Sequence, residues 1–282
     1  RKLKELGQRG RASDFSAYLM RRWATEEPEA LGMLYVDGHV RAYNGTKHTL
    51  PKTHVARRRL CMPATTDFWV NDSNAQPLFV VTAKANDSLL SMLEAEILPQ
   101  VRELVGDKRR VLMVFDREGG SPKKFKAWSK DGFDVLTYRK GKYDPWPEEC
   151  FNEVICEVAG NEVTYRLGER SVLLSKGFWM REVRRLCDNG HQTSVMTTNQ
   201  ELPLVEVAMR MFSRWQQENF FRYMRHEFDL DHMPTNDVEE ADPNRLVPNP
   251  ALKAKKKELN KVKAELRKAE QEYGIEAFDN PE

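Results

Sequence analysis

The 282-residue sequence lacks several features that define large classes of protein. No apolar run approaches the roughly 18 residues that a membrane-spanning helix needs, and no charged-then-apolar leader is present. The cysteines are few and scattered, without Cys-x-x-Cys spacing: Cys61, Cys150, Cys156 and Cys187. These absences exclude a membrane protein, a zinc knuckle and a disulfide framework, and they predict a soluble protein of a reducing cytosol.

Acidic residues are absent from residues 47–59, although the net charge of the whole chain is only +2. The basic residues of this segment are Lys47, Lys52, Arg57, Arg58 and Arg59. Basic runs of this kind suit a polyanionic partner. A solvated surface loop is the simpler alternative.

Two apolar segments run directly into an aspartate. LGMLYV, residues 31–36, precedes Asp37, and VLMVF, residues 111–115, precedes Asp116. Such runs predict strands buried in the middle of a sheet, and α/β proteins carry ligands where these strands end. The alternative for Asp116 is that it caps the turn into the next helix.

The remaining patterns divide the chain into six regions. Residues 1–30 suggest a helical lead-in, and 31–140 contain hairpin-rich strands followed by helix, strand, helix and strand. This order predicts an α/β protein with a mixed sheet and flanking helices. Residues 141–198 resemble a β-rich insertion, and 199–232 hold a long amphipathic helix. A linker follows at 233–250. The sequence begins with Arg1 and not with methionine, so we expect an amino-terminal portion to precede it.

Residues 251–275 show a seven-residue repeat. Leu252, Leu259, Leu266 and Tyr273 stand at equivalent positions, in a segment rich in lysine and glutamate. This spacing predicts about three heptads of amphipathic or coiled-coil helix. The helix would either self-associate or pack back on the core.

The helix predicted in residues 203–228 carries a third acid. Arg214, Glu218 and Arg225 share one face, since helical neighbours are three or four residues apart. A solvated ion-pair stripe is one explanation. The helix is nevertheless too aromatic to be free on the surface, so a buried Glu218 needs a partner or ligand.

If this helix packs across the two strands, Asp37, Asp116 and Glu218 converge. Three carboxylates in one place repel one another, and a divalent cation relieves that repulsion. Hard oxygen ligands favour Mg²⁺ or Mn²⁺. A pair of such ions about 4 Å apart is typical of phosphodiester chemistry.

LYVDGH, VFDREGG and FSRWQQENFFRYMR, in this order, resemble the catalytic signature of the DDE transposases of bacterial insertion sequences. The resemblance is to the group with a Tyr-x2-Arg-x3-Glu-x6-Lys motif, and it spans residues 31–228. It implies a ribonuclease H-like core interrupted by a β-rich insertion, here residues 141–198. It also implies that Asp37, Asp116 and Glu218 are catalytic metal ligands. Met211 and Arg225 stand where the motif has tyrosine and lysine.

The resemblance implies a cut-and-paste transposase that uses two Mg²⁺ or Mn²⁺ ions to cleave DNA at an element's ends and join them to target DNA. Expected partners are transposon ends, target DNA and a second copy of the chain in a homodimer, in the bacterial cytosol or nucleoid. The expected DNA-binding residues are Arg214, Arg225, Trp215, Lys47, Lys52, Arg57, Arg58, Arg59, Lys123 and Lys124. Two alternatives remain: a ribonuclease H-like structure-specific nuclease, and a non-catalytic DNA-binding protein derived from a transposase.

Overall fold

The structure, a computed structural model, describes residues 12–45, 48–56, 58–116, 121–158, 161–175, 177–212, 215–228, 230–231 and 249–279. The chain divides into two compact units, Arg1–Met233 and Pro234–Glu282. The described helix of the second unit is α7 (Pro250–Asp279). All the strands described below belong to the first unit.

In the described part of the chain, ten strands form one sheet. They are β1 (Met33–Ala42), β2 (Lys52–Val55), β3 (Leu60–Asn71), β4 (Pro77–Lys84), β5 (Val111–Phe115), β6 (Phe133–Tyr138), β7 (Asn152–Val158), β8 (Asn161–Ser175), β9 (Phe178–Leu186) and β10 (Gln192–Thr197). Their order is β2-β3-β1-β5-β6-β10-β9-β8-β7, and β4 also pairs with β3. The central strands β1, β5 and β6 run parallel, and their outer neighbours are antiparallel. The prediction of a mixed α/β sheet is therefore confirmed.

Six helices accompany the sheet in the described part of the first unit. They are α1 (Ala12–Glu26), α2 (Leu89–Met92), α3 (Leu98–Val105), α4 (Pro122–Lys130), α5 (Leu204–Phe212) and α6 (Trp215–Phe228). A π-helical turn, Leu93–Ile97, joins α2 to α3, and 3₁₀ turns occupy Pro28–Gly32 and Glu148–Cys150. The long helix predicted for residues 203–228 is thus α5 and α6, with residues 213–214 outside the described part.

The apolar strands are buried because both faces of the central sheet are covered. All five residues of β5 are buried. Met113 and Phe115 belong to the core cluster that includes residues of α1 to α4, whereas Leu112 and Val114 pack with Met211 of α5 on the other face. This two-sided burial explains a continuous apolar run rather than an alternating one.

The expectation that the first apolar strand stops at Asp37 is wrong. β1 continues to Ala42, because it remains paired with β3 as far as the pair of Ala42 and Ala64. Only its parallel pairing with β5 ends at Val36.

The segment 141–198 supplies β7 to β10, and β10 pairs directly with β6 of the central sheet. These strands therefore extend the same sheet. Within the described residues, none of the helices has the length and apolar character needed to cross a membrane.

Candidate functional site

Asp37 and Asp116 occupy equivalent places on neighbouring strands. The last parallel pair between β1 and β5 joins Val36 to Phe115, so the next residue on each strand is the aspartate. Adjacent strands lie about 4.8 Å apart, which places the two half-buried acids side by side where the strands separate. The sequence indicated both strand positions, and the structure shows that the strands are neighbours.

Local hydrogen bonds hold the backbone at this position. The Asp37 Oδ1 atom accepts the N–H of Gly38 at 3.0 Å. The backbone carbonyl of Asp116 accepts the hydroxyl of Thr137, on β6, at 3.1 Å. The end of β5 is therefore tied to the next parallel strand, which restricts the movement of Asp116.

Helix α6 packs on the face of the sheet that carries Asp37. Trp69 of β3 lies directly opposite Asp37 in the antiparallel pair, so both side chains are on one face. The Trp69 ring meets the rings of Phe220 and Phe221, with centroid distances of 5.4 Å and 6.3 Å. His39, two residues after Asp37 and hence on the same face, stacks on Phe221 at 5.2 Å.

The third predicted acid, Glu218, lies in α6, one helical turn before Phe221. Its side chain, the side chain of Trp215 and the whole of Arg214 lie outside the described residues. Among the side chains that are described, no group of three or more His, Cys, Asp and Glu residues could hold a metal ion. The structure thus sets Asp37 beside Asp116, and it packs the helix of Glu218 on the face of β1 that carries Asp37.

The chemistry of this face fits a divalent cation. Asp37 and Asp116 offer hard oxygen donors, the type that Mg²⁺ and Mn²⁺ prefer. The indole Nε1 of Trp69 is buried and has no hydrogen-bond partner among the described residues. A buried N–H without an acceptor costs free energy, but this atom exposes no surface that a DNA strand could contact.

Two other buried acids are structural. Asp134 accepts hydrogen bonds from Arg110 Nε and Nη2 at 3.0 Å, and from the Thr198 and Asn199 side chains at the same distance. Burial raises the pKa of Asp134, but these hydrogen bonds outweigh it and the net pKa is lowered. Glu182 behaves alike: burial raises its pKa, but hydrogen bonds led by that from Ser194 outweigh burial and the net pKa is lowered. Both carboxylates are fully engaged by protein donors.

The predicted DNA-binding residues occupy several elements. Lys52 of β2, Arg58 and Arg59 in the turn before β3, and Lys123 of α4 are exposed, and Arg225 of α6 is half-buried. Lys47 and Arg57 lie outside the described residues.

Lys124 differs from the other predicted DNA contacts because its ammonium group is paired with the carboxylate of Glu94. A competing ion pair makes this lysine less available to a phosphate than its neighbour Lys123, which is exposed.

His39 and Asp231 are neighbours of this site; the position of His39 beside Asp37 was visible in the sequence, but its role was not, and Asp231 was missed. Sequence spacing left His39 among six scattered histidines. It is only 6% exposed, and it hydrogen-bonds Asp231 and borders a cavity of about 240 Å³ that His54 and Arg58 also line. The available signal was its alternation with Asp37 along one strand.

Comparison with known proteins identifies the family. A family model described as transposase protein matches residues 1–279, so the chain belongs to this transposase family. A search among curated proteins finds no match.

Two solved structures show weak similarity. A piggyBac transposase synaptic complex with hairpin DNA is 9% identical, with a TM-score of 0.42 over 69% of this chain and 40% of that chain. Marinitoga piezophila Argonaute in complex with 5′ OH guide RNA is 13% identical, with a TM-score of 0.28 over 66% and 26%. The chain spans less than half the length of either protein.

Proposed function

We propose that the chain cleaves DNA at the ends of an insertion sequence and transfers the cut strands to target DNA, with Asp37, Asp116 and Glu218 as the acids of a divalent-metal site. The observation that carries this proposal is the parallel register of β1 and β5, which sets Asp37 beside Asp116. The packing of α6 on the same face of β1 supports the inclusion of Glu218. Membership of a transposase family is consistent with this chemistry.

Each residue has a distinct task. Bound Mg²⁺ or Mn²⁺, as a pair of ions, would activate the attacking oxygen and stabilise the departing one. Asp37 and Asp116 supply oxygen ligands from central strands, whose rigidity fixes the ligand geometry. Thr137 restrains the backbone of Asp116.

DNA is held mainly by the exposed basic residues near β2. Lys52, Arg58 and Arg59 lie close together in sequence on β2 and the turn before β3, and Lys123 lies on α4. Cations of this kind neutralise backbone phosphates without reading the base sequence.

The test is cleavage of a labelled duplex made from the DNA that flanks the coding sequence. The full chain should nick it only with Mg²⁺ or Mn²⁺ and then join the free 3′ end to a target plasmid. Asp116→Asn should lower the nicking rate at least about a hundredfold, because it removes a charged ion ligand. Asp107→Asn, a neutralisation on an exposed turn, is the matched control and should have no effect.

The alternatives give different results in the same assay. Nicking that is never followed by joining to the target would identify a structure-specific nuclease. DNA binding without nicking in either ion would identify a non-catalytic DNA-binding protein.

A further inference from the structure

His39 joins helix α6 to the strand that carries Asp37. Its ring stacks on the ring of Phe221, with centroids 5.2 Å apart and an interplanar angle of 16°. Its Nε2 atom lies 2.6 Å from the Oδ1 atom of Asp231, three residues beyond the end of α6 at Phe228. His39 and Phe221 are each only 6% exposed, so the stacked pair is shielded from water.

The hydrogen bond between His39 and Asp231 reaches the end of the helix. A carboxylate only accepts hydrogen bonds, so the imidazole Nε2 carries the proton and donates it. The turn that contains Asp231 is tied to α6, because the N–H of Leu230 donates to the carbonyl of Met224 at 3.3 Å. The bond from His39 therefore holds the carboxyl end of α6 against β1.

A second buried acid lies directly opposite His39 and is already engaged. Asp67 of β3 is the antiparallel partner of His39 and is only 3% exposed. Its carboxylate accepts the Thr82 hydroxyl at 2.8 Å and pairs with the Arg41 guanidinium at 3.2 Å. These donors satisfy Asp67, and the imidazole of His39 bonds instead to the acid beyond the end of α6.

A histidine at this position is more demanding than an apolar residue would be. A buried imidazole needs a polar partner for its N–H, whereas a phenylalanine at position 39 would stack on Phe221 without one. The neighbouring contacts of α6 with the sheet are aromatic, since Trp69 meets Phe220 at 5.4 Å and Phe221 at 6.3 Å. Packing of the helix thus does not by itself explain the histidine.

The contacts of His39 connect two candidate metal ligands through a short path. Asp37 is two residues from His39 on β1, about 6.7 Å along the strand. Glu218 is three residues from Phe221, about 4.5 Å along α6. Stacked rings can slide against one another, but a hydrogen bond is confined to a narrow range of distance and angle. The bond of His39 therefore fixes the separation of the backbones that carry Asp37 and Glu218.

We infer that His39 is a positioning residue that holds α6 at the separation a divalent cation requires between Asp37 and Glu218. This inference rests on the proposed function, because it assumes that both acids bind the ion. His39 acts through Phe221 and Asp231, so its loss should weaken ion binding and not abolish it.

His39→Phe tests the inference, because it retains a ring against Phe221 and removes the hydrogen bond to Asp231. Mn²⁺ binding to the full chain, measured by calorimetry, should weaken about tenfold, the lower end of the range for groups that orient metal ligands. The Mg²⁺ concentration for half-maximal nicking should rise by a similar factor. His54→Phe, the same change at an exposed histidine that lines the neighbouring cavity, should alter neither quantity.

Positioning must be separated from a general loss of stability. Glu182→Gln is the control, because it removes one charge of a buried ion pair on β9, three strands along the sheet from β5. This variant should unfold at a lower urea concentration and keep the Mn²⁺ affinity of the wild type. Equal weakening of Mn²⁺ binding in Glu182→Gln and His39→Phe would show a general effect of destabilisation and overturn the positioning role.

A second variant covers the case in which His39→Phe does not fold. Asp231→Ala removes the acceptor from the other side of the same bond, so it should weaken Mn²⁺ binding by a similar factor. Where both single variants fold, the double variant should bind Mn²⁺ no more weakly than Asp231→Ala alone, because both changes break one contact. Wild-type Mn²⁺ affinity in whichever single variant folds overturns the positioning role.

Failure of this inference and failure of the proposed function give different results. If Asp116→Asn loses Mn²⁺ binding and nicking while folded His39→Phe keeps the wild-type affinity, only the positioning role is overturned. If Asp116→Asn keeps the Mn²⁺ binding and nicking of the wild type, the proposed metal site itself is wrong. A wild-type chain that binds no Mn²⁺ has the same consequence.

Discussion

Glu182 is the best position at which to measure what a buried charge contributes to this sheet. It lies on β9 with no exposed surface. Its carboxylate accepts the Ser194 hydroxyl at 2.5 Å, Arg139 at 2.6 Å and Arg184 at 2.7 Å. Arg184 is itself only 2% exposed, so both charges of this pair are out of water.

Replacing Glu182 by alanine leaves the Arg184 guanidinium without its counter-ion. Its remaining acceptors are neutral, the Asp144 carbonyl at 2.7 Å and the Gln192 side chain at 3.1 Å. Removal of one partner of a buried ion pair costs about 3–5 kcal/mol. That is a large share of the roughly 5–15 kcal/mol by which a domain is stable. For a unit of this size the loss lowers Tm by roughly 6–20 °C.

Urea unfolding followed by circular dichroism and tryptophan fluorescence measures the change. Glu148→Ala is the control, since it removes an equivalent glutamate that is paired with Arg166 at 3.1 Å but is 75% exposed. The control should lose less than about 1 kcal/mol. If Glu182→Ala loses no more than the control, the argument from burial is wrong.

Three further predictions follow from the described contacts. The lowered pKa values of Glu182 and Asp134 mean that their contribution to stability is present above the ordinary values of 4.5 and 3.8 and is lost as pH falls through the lowered values. The urea midpoint should therefore fall in acid, and less so in Glu182→Gln. DNA affinity should fall steeply as the salt concentration rises. Arg59→Ala should reduce the slope of log affinity against log salt concentration by about 0.9. Lys124→Ala should change this slope less, because Lys124 is already paired with Glu94. Met211→Tyr, which introduces the tyrosine of the motif, should destabilise the fold by about 1–3 kcal/mol in the urea assay, because Met211 is fully buried.

The sequence predicted the central strands well because two-sided burial leaves a direct signature. The apolar run ending at Phe115 could be assigned to a buried strand from its composition alone. The continuation of β1 through residues 38–42 could not, because it depends on pairing with β3 and not on local apolar pattern. That Asp37 and Asp116 follow neighbouring strands was expected from the sequence, but the register that sets them side by side is a long-range property and required the structure.

The burial of charged residues could not be predicted from the sequence, for a related reason. Arg184 and Glu182 lie in a segment whose mixed charges suggest a surface strand, yet both point into a covered face. Arg184 lies between the rings of Tyr143 and Trp146, at 4.5 Å and 4.1 Å from their centroids. The enclosing residues lie about forty positions away in the sequence, so the spacing of residues near Arg184 does not predict its burial.

The location of the candidate site follows from the path of the chain through the sheet. After β1 the chain turns to one side, to β2 and then β3, and after β5 it turns to the other side, to β6. Such a switch between adjacent parallel strands leaves a crevice beyond their carboxyl ends, which is where α/β proteins bind ligands. Asp37 and Asp116 stand at this switch, and β1 alone continues past it to bring His39 against α6. One strand therefore supplies both a candidate ligand and the contact that fixes the helix opposite. A substitution at His39 should therefore lower the affinity for the ion more than it lowers the affinity for DNA.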